Sequence, residues 1–119
     1  MMTPPPALSA DHRAAMVQAI ARVRRAVHGV AHPHATELLH LLDDATRFAS
    51  GQAPFLTLVA AASAAEALRP EDAPPGCAAH ELAFEAAVHA LAAGFSPDCA
   101  GLAIDEADRA ARLGPPASC

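Results

Sequence analysis

Alanine accounts for 33 of the 119 residues, and this abundance constrains the fold more than any motif in the chain. Ala has the highest helix propensity of all residues and is depleted from strands. Leu, Ile, Val and Phe together number only 24, which is near the lower limit for a well-filled core. Methyl-lined helices can approach one another closely, but each methyl buries little area. The composition therefore predicts an all-α fold of limited stability as a monomer, and we expect a homo-oligomer.

Five segments carry apolar residues at helical spacing, and Pro or Gly separates them. We predict helices at residues 10–28, 33–50, 54–69, 77–93 and 96–113. In the first helix, for example, Met16, Ile20, Val23 and Val27 form one stripe. A short strand at 55–59 is the alternative for the start of the third segment, but the Ala run that follows favours a helix.

The length and the short gaps indicate one compact unit. A chain of this size typically forms a single domain, and gaps of about two to seven residues favour antiparallel neighbours. We predict a small antiparallel bundle of about five helices at residues 9–114. Residues 1–8 read as a disordered leader and residues 115–119 as a frayed tail.

Charge and residue types exclude several classes of partner. The net charge is −5, and four Phe are the only aromatic residues, which is unsuited to binding nucleic acid. The best apolar stretch, 55–68, is interrupted by Thr57, Ser63 and Glu66, so we expect no membrane span. The chain has three Cys, and an odd number argues against a framework of disulfides. The N-terminus lacks both the basic region and the apolar region that a signal peptide contains. These features predict a cytoplasmic protein, and we expect no cofactor.

The charge is distributed unevenly along the chain. Residues 1–36 carry four Arg against one acid, and residues 70–119 carry eight acids against two Arg. In the simpler interpretation, the basic first helix docks on the acidic end of the same chain. In the alternative, an acidic face recruits a basic protein partner.

The third helix is apolar almost all round. Phe55, Val59, Ala62 and Glu66 fall on one stripe, and hardly any polar residue lies opposite. Such a helix is either central in the fold or covered by another subunit. We therefore predict that Phe55, Leu56 and Val59 belong to an interface, and that Glu66 lies on a face that excludes water.

Three titratable side chains are predicted from their helical positions to face the interior, namely Glu66, His80 and Glu106. Two carboxylates and an imidazole can bind a ligand or a divalent metal, or act as an acid–base pair. The simpler interpretation pairs each with an Arg at the edge of the core. We assign no catalytic residue and no metal ligand.

The remaining polar motifs are predicted to lie on the surface of the protein. Glu37 and His40 have the Glu-x-x-His spacing of di-iron bundles, but the second copy that such a site needs is missing. His residues at 28, 32, 34 and 40 lack the Cys or carboxylate spacing that specifies zinc, so we predict that they face solvent. A transition-metal site in this His-rich segment, residues 28–40, is the alternative. Glu81, Glu85 and His89 form an i,i+4 ladder that points away from the Phe84 side of its helix, so we predict a solvated face.

From Leu41 onward the pattern resembles a bacterial family of Ala-rich helical immunity proteins. The matching features are the turn at 47–52, the Ala-rich helix at 60–67, and a second Ala-rich helix at 86–93 that contains His89. Gln52 stands where the family's turn carries an acid. The resemblance implies a cytoplasmic, non-catalytic helical protein that binds and masks a toxin.

The sequence as a whole predicts a non-enzymatic helical module that binds a protein partner, as an immunity or regulatory protein would. The alternative is a small bundle that binds a metal or small ligand through Glu66, His80 and Glu106. The alternative requires that these three side chains meet at one site.

Overall fold

The computed structural model describes residues 10–28, 35–50, 55–68 and 78–113. Five helices make up nearly all of these ranges, which contain no strand. The helices are α1 (Ala10–His28), α2 (Ala35–Ala49), α3 (Phe55–Ala67), α4 (Ala78–Ala92) and α5 (Asp98–Leu113). The predicted all-α fold is therefore confirmed, and the strand alternative at 55–59 is wrong. The predicted leader at 1–8 and tail at 115–119 lie outside the described residues.

The first two helices bury the faces that their spacing predicts. In α1 the stripe formed by Met16, Ile20, Val23 and Val27 is buried. In α2 the buried side chains are Leu38, Leu42, Ala45, Phe48 and Ala49. Both helices are clearly amphipathic, so the core-facing side can be read directly from the sequence.

The centre of the bundle is α4, which contacts each of the other four helices. By contrast, among the five described helices α3 packs only against α2 and α4, so it lies at the edge of this bundle. Of the two predicted explanations for the apolar character of α3, a central position is wrong. Coverage by another subunit stays a prediction.

The buried side of α3 also differs from the predicted one. Leu58, Ala61 and Ala65 are buried, whereas Val59 and Glu66 are exposed. The prediction that Glu66 lies on a face that excludes water is therefore wrong. The physical reason is that a helix with apolar residues on every side has no polar face from which its orientation can be deduced.

The core consists mainly of methyl groups. Of the 25 buried hydrophobic residues, 15 are Ala, and all four buried residues of α5 are Ala. Six of the larger side chains are fully buried in α1 and α2, namely Met16, Ile20, Val23, Val27, Leu38 and Leu42. The helices can therefore pack closely, and the few large side chains carry most of the hydrophobic stabilisation.

Two ion pairs join α1 to its neighbours. Arg22 Nε lies 3.1 Å from Asp108 Oδ1 on α5, and Arg24 Nη2 lies 3.0 Å from Asp43 Oδ1 on α2. The interpretation in which the basic first helix docks on the acidic end of the same chain is confirmed at Asp108. No helix in the described ranges is both long enough and apolar enough to cross a membrane.

We expect the Arg22–Asp108 pair to contribute little to stability. Its side chains are 49% and 43% exposed, and exposed ion pairs contribute about 0–1 kcal/mol. A double-mutant cycle with Arg22→Ala and Asp108→Ala, followed by urea unfolding, should give a coupling energy in this range. The coupling should decrease in molar salt because the charges are screened. A coupling energy well above this range, or one insensitive to salt, would contradict the expectation.

Candidate functional sites

The three residues predicted to converge do not form one site. Glu66 is exposed on α3, and Glu106 is half-buried on α5. The described parts of α3 and α5 do not contact each other, so these two carboxylates are kept apart by the packing. The side chain of His80 lies outside the described residues. The ligand site predicted from these residues is therefore wrong as a set.

Glu106 instead meets two residues of α4. Its carboxylate oxygen Oε1 contacts Nδ1 of His89, with side-chain exposures of 30% for His89 and 16% for Glu106. Glu85 lies one turn before His89, and one potential ligand atom from each of the three residues lies within 4.8 Å of the others. We call Glu85, His89 and Glu106 the α4–α5 cluster.

The ladder of Glu81, Glu85 and His89 was predicted to be solvated, and this is wrong for two of its three members. Glu81 is exposed, but Glu85 and His89 are half-buried against α5. The cause is the central position of α4, which leaves only a narrow strip of this helix to solvent. The side opposite Phe84 is therefore covered as well.

A signal for this cluster was present in the sequence. The buried residues Ala83, Ala86, Ala87 and Ala90, together with Phe84 and Leu91, form one broad arc of α4, and His89 lies beside this arc. Polar residues on such a helix must face a partner group. In α5, Glu106 lies at the edge of the buried Ala face, where it can reach a neighbouring helix.

The α4–α5 cluster can do two things chemically. An imidazole and a carboxylate in contact form a charge-assisted hydrogen bond that joins the two helices. With the second carboxylate of Glu85, the same groups can also act as ligands of a cation. Both uses require that α4 and α5 are held in a fixed relative position.

Short backbone contacts fix the connection between these helices. The amide N–H of Phe95 donates to the carbonyl of Ala92 at 2.9 Å, and that of Cys99 donates to the carbonyl of Ser96 at 3.1 Å. The α4–α5 contact is lined largely by Ala, which permits close packing. The cluster therefore lies on two closely packed helices that a short hydrogen-bonded turn connects.

A second feature is the outer face of α3, defined by the exposed residues Leu56, Val59, Ala60, Ser63 and Ala67. The side chain of Leu56 is 73% exposed and that of Val59 is 38% exposed. Other large apolar side chains are exposed singly on α1, on α5 and in the turn between α4 and α5. On α3 two of them lie within one turn, beside small residues. The predicted interface residues Leu56 and Val59 thus face outward, and the side chain of Phe55 lies outside the described residues.

A shallow groove of about 300 Å³ lies between α1 and α5. Gln18, Ala21, Arg22, Arg25 and Ile104 line it. Because Arg22 is engaged by Asp108, the groove offers no cluster of acid, base and nucleophile among its described lining residues.

Comparison with models of protein families, with curated proteins and with solved structures finds no match to this chain.

Proposed function

We propose that this protein is a non-enzymatic helical interaction module and that the outer face of α3 is its docking surface. The observation that carries the proposal is the contrast between two Leu residues of one helix. Leu58 is fully buried, and Leu56 is 73% exposed with Val59 beside it. Apolar side chains that neighbour one another on a surface are typical of interaction sites.

An immunity or regulatory protein in the bacterial cytosol would work in this way. Masking a partner needs a preformed surface and no chemistry, which agrees with the resemblance in the Ala-rich segments. A foreign partner would bind at a different surface from the outer face of α3, and it would carry basic groups, because Glu81, Asp98 and Asp105 expose carboxylates on α4 and α5. The odd number of Cys supports a reducing compartment.

The occupant that we assign to the outer face of α3 is a second copy of this chain. Large side chains stand at the start of the face, at Leu56 and Val59, and small ones follow at Ser63 and Ala67. In an antiparallel crossing of two copies, the large residues of one lie over the small residues of the other. A two-fold interface requires such self-complementarity.

The net charge of the chain predicts how self-association should depend on salt. Each copy carries −5, so two copies repel one another through their overall field. The five residues that define the outer face are uncharged, and the exposed acid beside them, Glu66, would add to the repulsion between two copies. Association through this face should therefore become tighter as salt screens the repulsion. An association held together by ion pairs would weaken under the same conditions.

We expect Leu56→Glu to disrupt self-association. Each new carboxylate would have to be desolvated in the interface, so the dissociation constant should rise at least about tenfold. Light scattering and sedimentation from low micromolar to millimolar protein would measure it. The fold should be unaffected, because an exposed substitution changes stability by only about 0.5 kcal/mol.

The matched control is Leu113→Glu on α5, where the wild-type side chain is 55% exposed. This control introduces the same charge at similar exposure and should leave association unchanged. A wild-type protein that stays monomeric over the whole range would refute the proposed occupant. Equal dissociation of both variants would show that charge, and not the face of α3, governs association.

A further inference from the structure

We propose that Glu85, His89 and Glu106 form a binding site for one divalent transition-metal ion, with Zn²⁺ as the representative. The site lies where α4 contacts α5, and it is separate from the outer face of α3. Three observations support the proposal, namely the spacing of the ligand atoms, their partial burial and the chemistry of the set.

The spacing of the side chains fits a single ion. Their candidate ligand atoms lie within 4.8 Å of one another. Bonds of zinc to imidazole nitrogen and carboxylate oxygen are about 2.0–2.2 Å long, so ligand atoms on one ion stand roughly 3–3.5 Å apart. Because glutamate side chains have several rotatable bonds, rotamer changes can bring Glu85 closer and can separate Glu106 from His89, so that the ion replaces their hydrogen bond.

The placement on the helices also fits. Glu85 and His89 are four residues apart on α4, which puts both on one side of the helix. Glu106 approaches the same point from α5 and contacts Nδ1 of His89. With side-chain exposures of 16% for Glu106 and 30% for His89, the group is sheltered from bulk water and still reachable by an ion. Rigid helices that hold ligands in advance lower the cost of binding.

The ligand set selects the class of ion. Ca²⁺ and Mg²⁺ prefer oxygen ligands alone, so an imidazole nitrogen favours a transition metal. The sulfur of Cys99 is not part of this cluster, because Cys99 precedes Glu106 by two helical turns, or roughly 10 Å along the axis. Two carboxylates would balance the charge of the dication. Three protein ligands would leave one position of a tetrahedral ion for water.

The competing interpretation is that His89 and Glu106 form only a hydrogen-bonded link between two helices. The two interpretations differ at Glu85 and in the effect of added metal. A link needs neither a contribution from Glu85 to metal affinity nor any stabilisation by zinc. A site predicts both, because an ion that binds only the folded state raises its melting temperature.

The test is titration of the untagged full chain with Zn²⁺ by calorimetry, together with melting curves with and without zinc. We expect one ion per chain and a rise in Tm. Glu106→Gln and Glu85→Gln keep the size of each side chain and remove the charge. Each should weaken zinc binding at least about tenfold, because even the loss of a residue that only hydrogen-bonds to a metal ligand weakens binding by that much. Glu81→Gln, one turn before Glu85 and exposed, is the matched control and should bind as the wild type does.

Other histidines provide the outcome that would overturn the proposal. If zinc binding is lost in His32→Ala/His34→Ala and retained in Glu106→Gln, the ion is held by the His-rich segment and not by the α4–α5 cluster. Absence of stoichiometric binding in the wild type would also refute the site. A Glu106→Gln variant that is less stable without zinc, yet binds zinc normally, would establish the simple helix link.

Discussion

Replacing Phe84 with Ala is expected to lower the free energy of unfolding by about 3–5 kcal/mol, the usual cost of removing a buried Phe. The side chain of Phe84 is only 2% exposed and belongs to α4, the helix that contacts all the others. Three buried Ala residues, at 83, 86 and 87, are its close neighbours in sequence. Methyl groups have no rotamers with which to fill the resulting cavity, so the site cannot collapse easily. Urea unfolding followed by far-UV circular dichroism measures the loss.

The matched control is Phe95→Ala. Phe95 follows α4 in the turn toward α5, and its side chain is 47% exposed. The same atoms are removed, but about half of the side-chain surface is already exposed to water, so the loss should be about 1 kcal/mol or less. Equal losses for the two variants would contradict the assignment of Phe84 to the centre of the core. A domain of this size has roughly 5–15 kcal/mol of stability, so Phe84→Ala should also shift the denaturation midpoint strongly.

Local patterns were sufficient to predict the helices. Ala propensity and the Pro and Gly breaks predicted all five, and α1 was predicted at its observed bounds. The stripe that contains Met16 and Val23 is buried because polar residues cover the other side of α1. Where polar and apolar residues alternate at helical spacing, the local sequence predicts both the helix and the side of it that is buried.

Orientation could not be predicted where the alternation is missing. In α3 the residues on both sides are apolar. The stripe that was predicted to be covered, which includes Val59 and Glu66, is exposed at both of these residues. The packing of Leu58 decides the orientation, and that packing depends on α2 and α4, which lie far apart in the sequence. No local pattern contains this information.

The candidate site was hidden for a related reason. Glu106 was recognised as a residue near the core side, but its partner was sought at Glu66 and His80. The actual partner, His89, belongs to a ladder interpreted as solvated. The many small residues of α4 indicate that neighbouring helices lie close to it, but the spacing of either helix does not show which helix covers His89. That contact depends on where α5 lies.

Gly94 should not tolerate a larger side chain, because it lies at the end of α4 against side chains of α1 and α3. A Cβ atom placed on Gly94 would stand 2.3 Å from Cδ2 of Leu58 on α3 and 3.3 Å from Sδ of Met16 on α1. Leu58 and Met16 are both fully buried, so a shift of either side chain must be accommodated inside the core. We expect Gly94→Ala to lower the free energy of unfolding by about 1–3 kcal/mol, the usual cost of adding a methyl to a filled core. The backbone of Gly94 is not in the left-handed region, so the cost arises from space and not from strain.

Gly101→Ala is the matched control and should change stability in the opposite direction. Gly101 lies inside α5, and a Cβ placed there meets nothing within 4 Å. Ala exceeds Gly in helix propensity and restricts the unfolded chain, so this variant should gain about 0.4–1 kcal/mol. Urea unfolding of both variants, with Leu58→Ala as a third, completes the design. If the clash with Leu58 is the cause, Gly94→Ala should cost much less in the Leu58→Ala background than in the wild type. Additive losses would place the cost of Gly94→Ala elsewhere and contradict the close contact of the α4 end with α3.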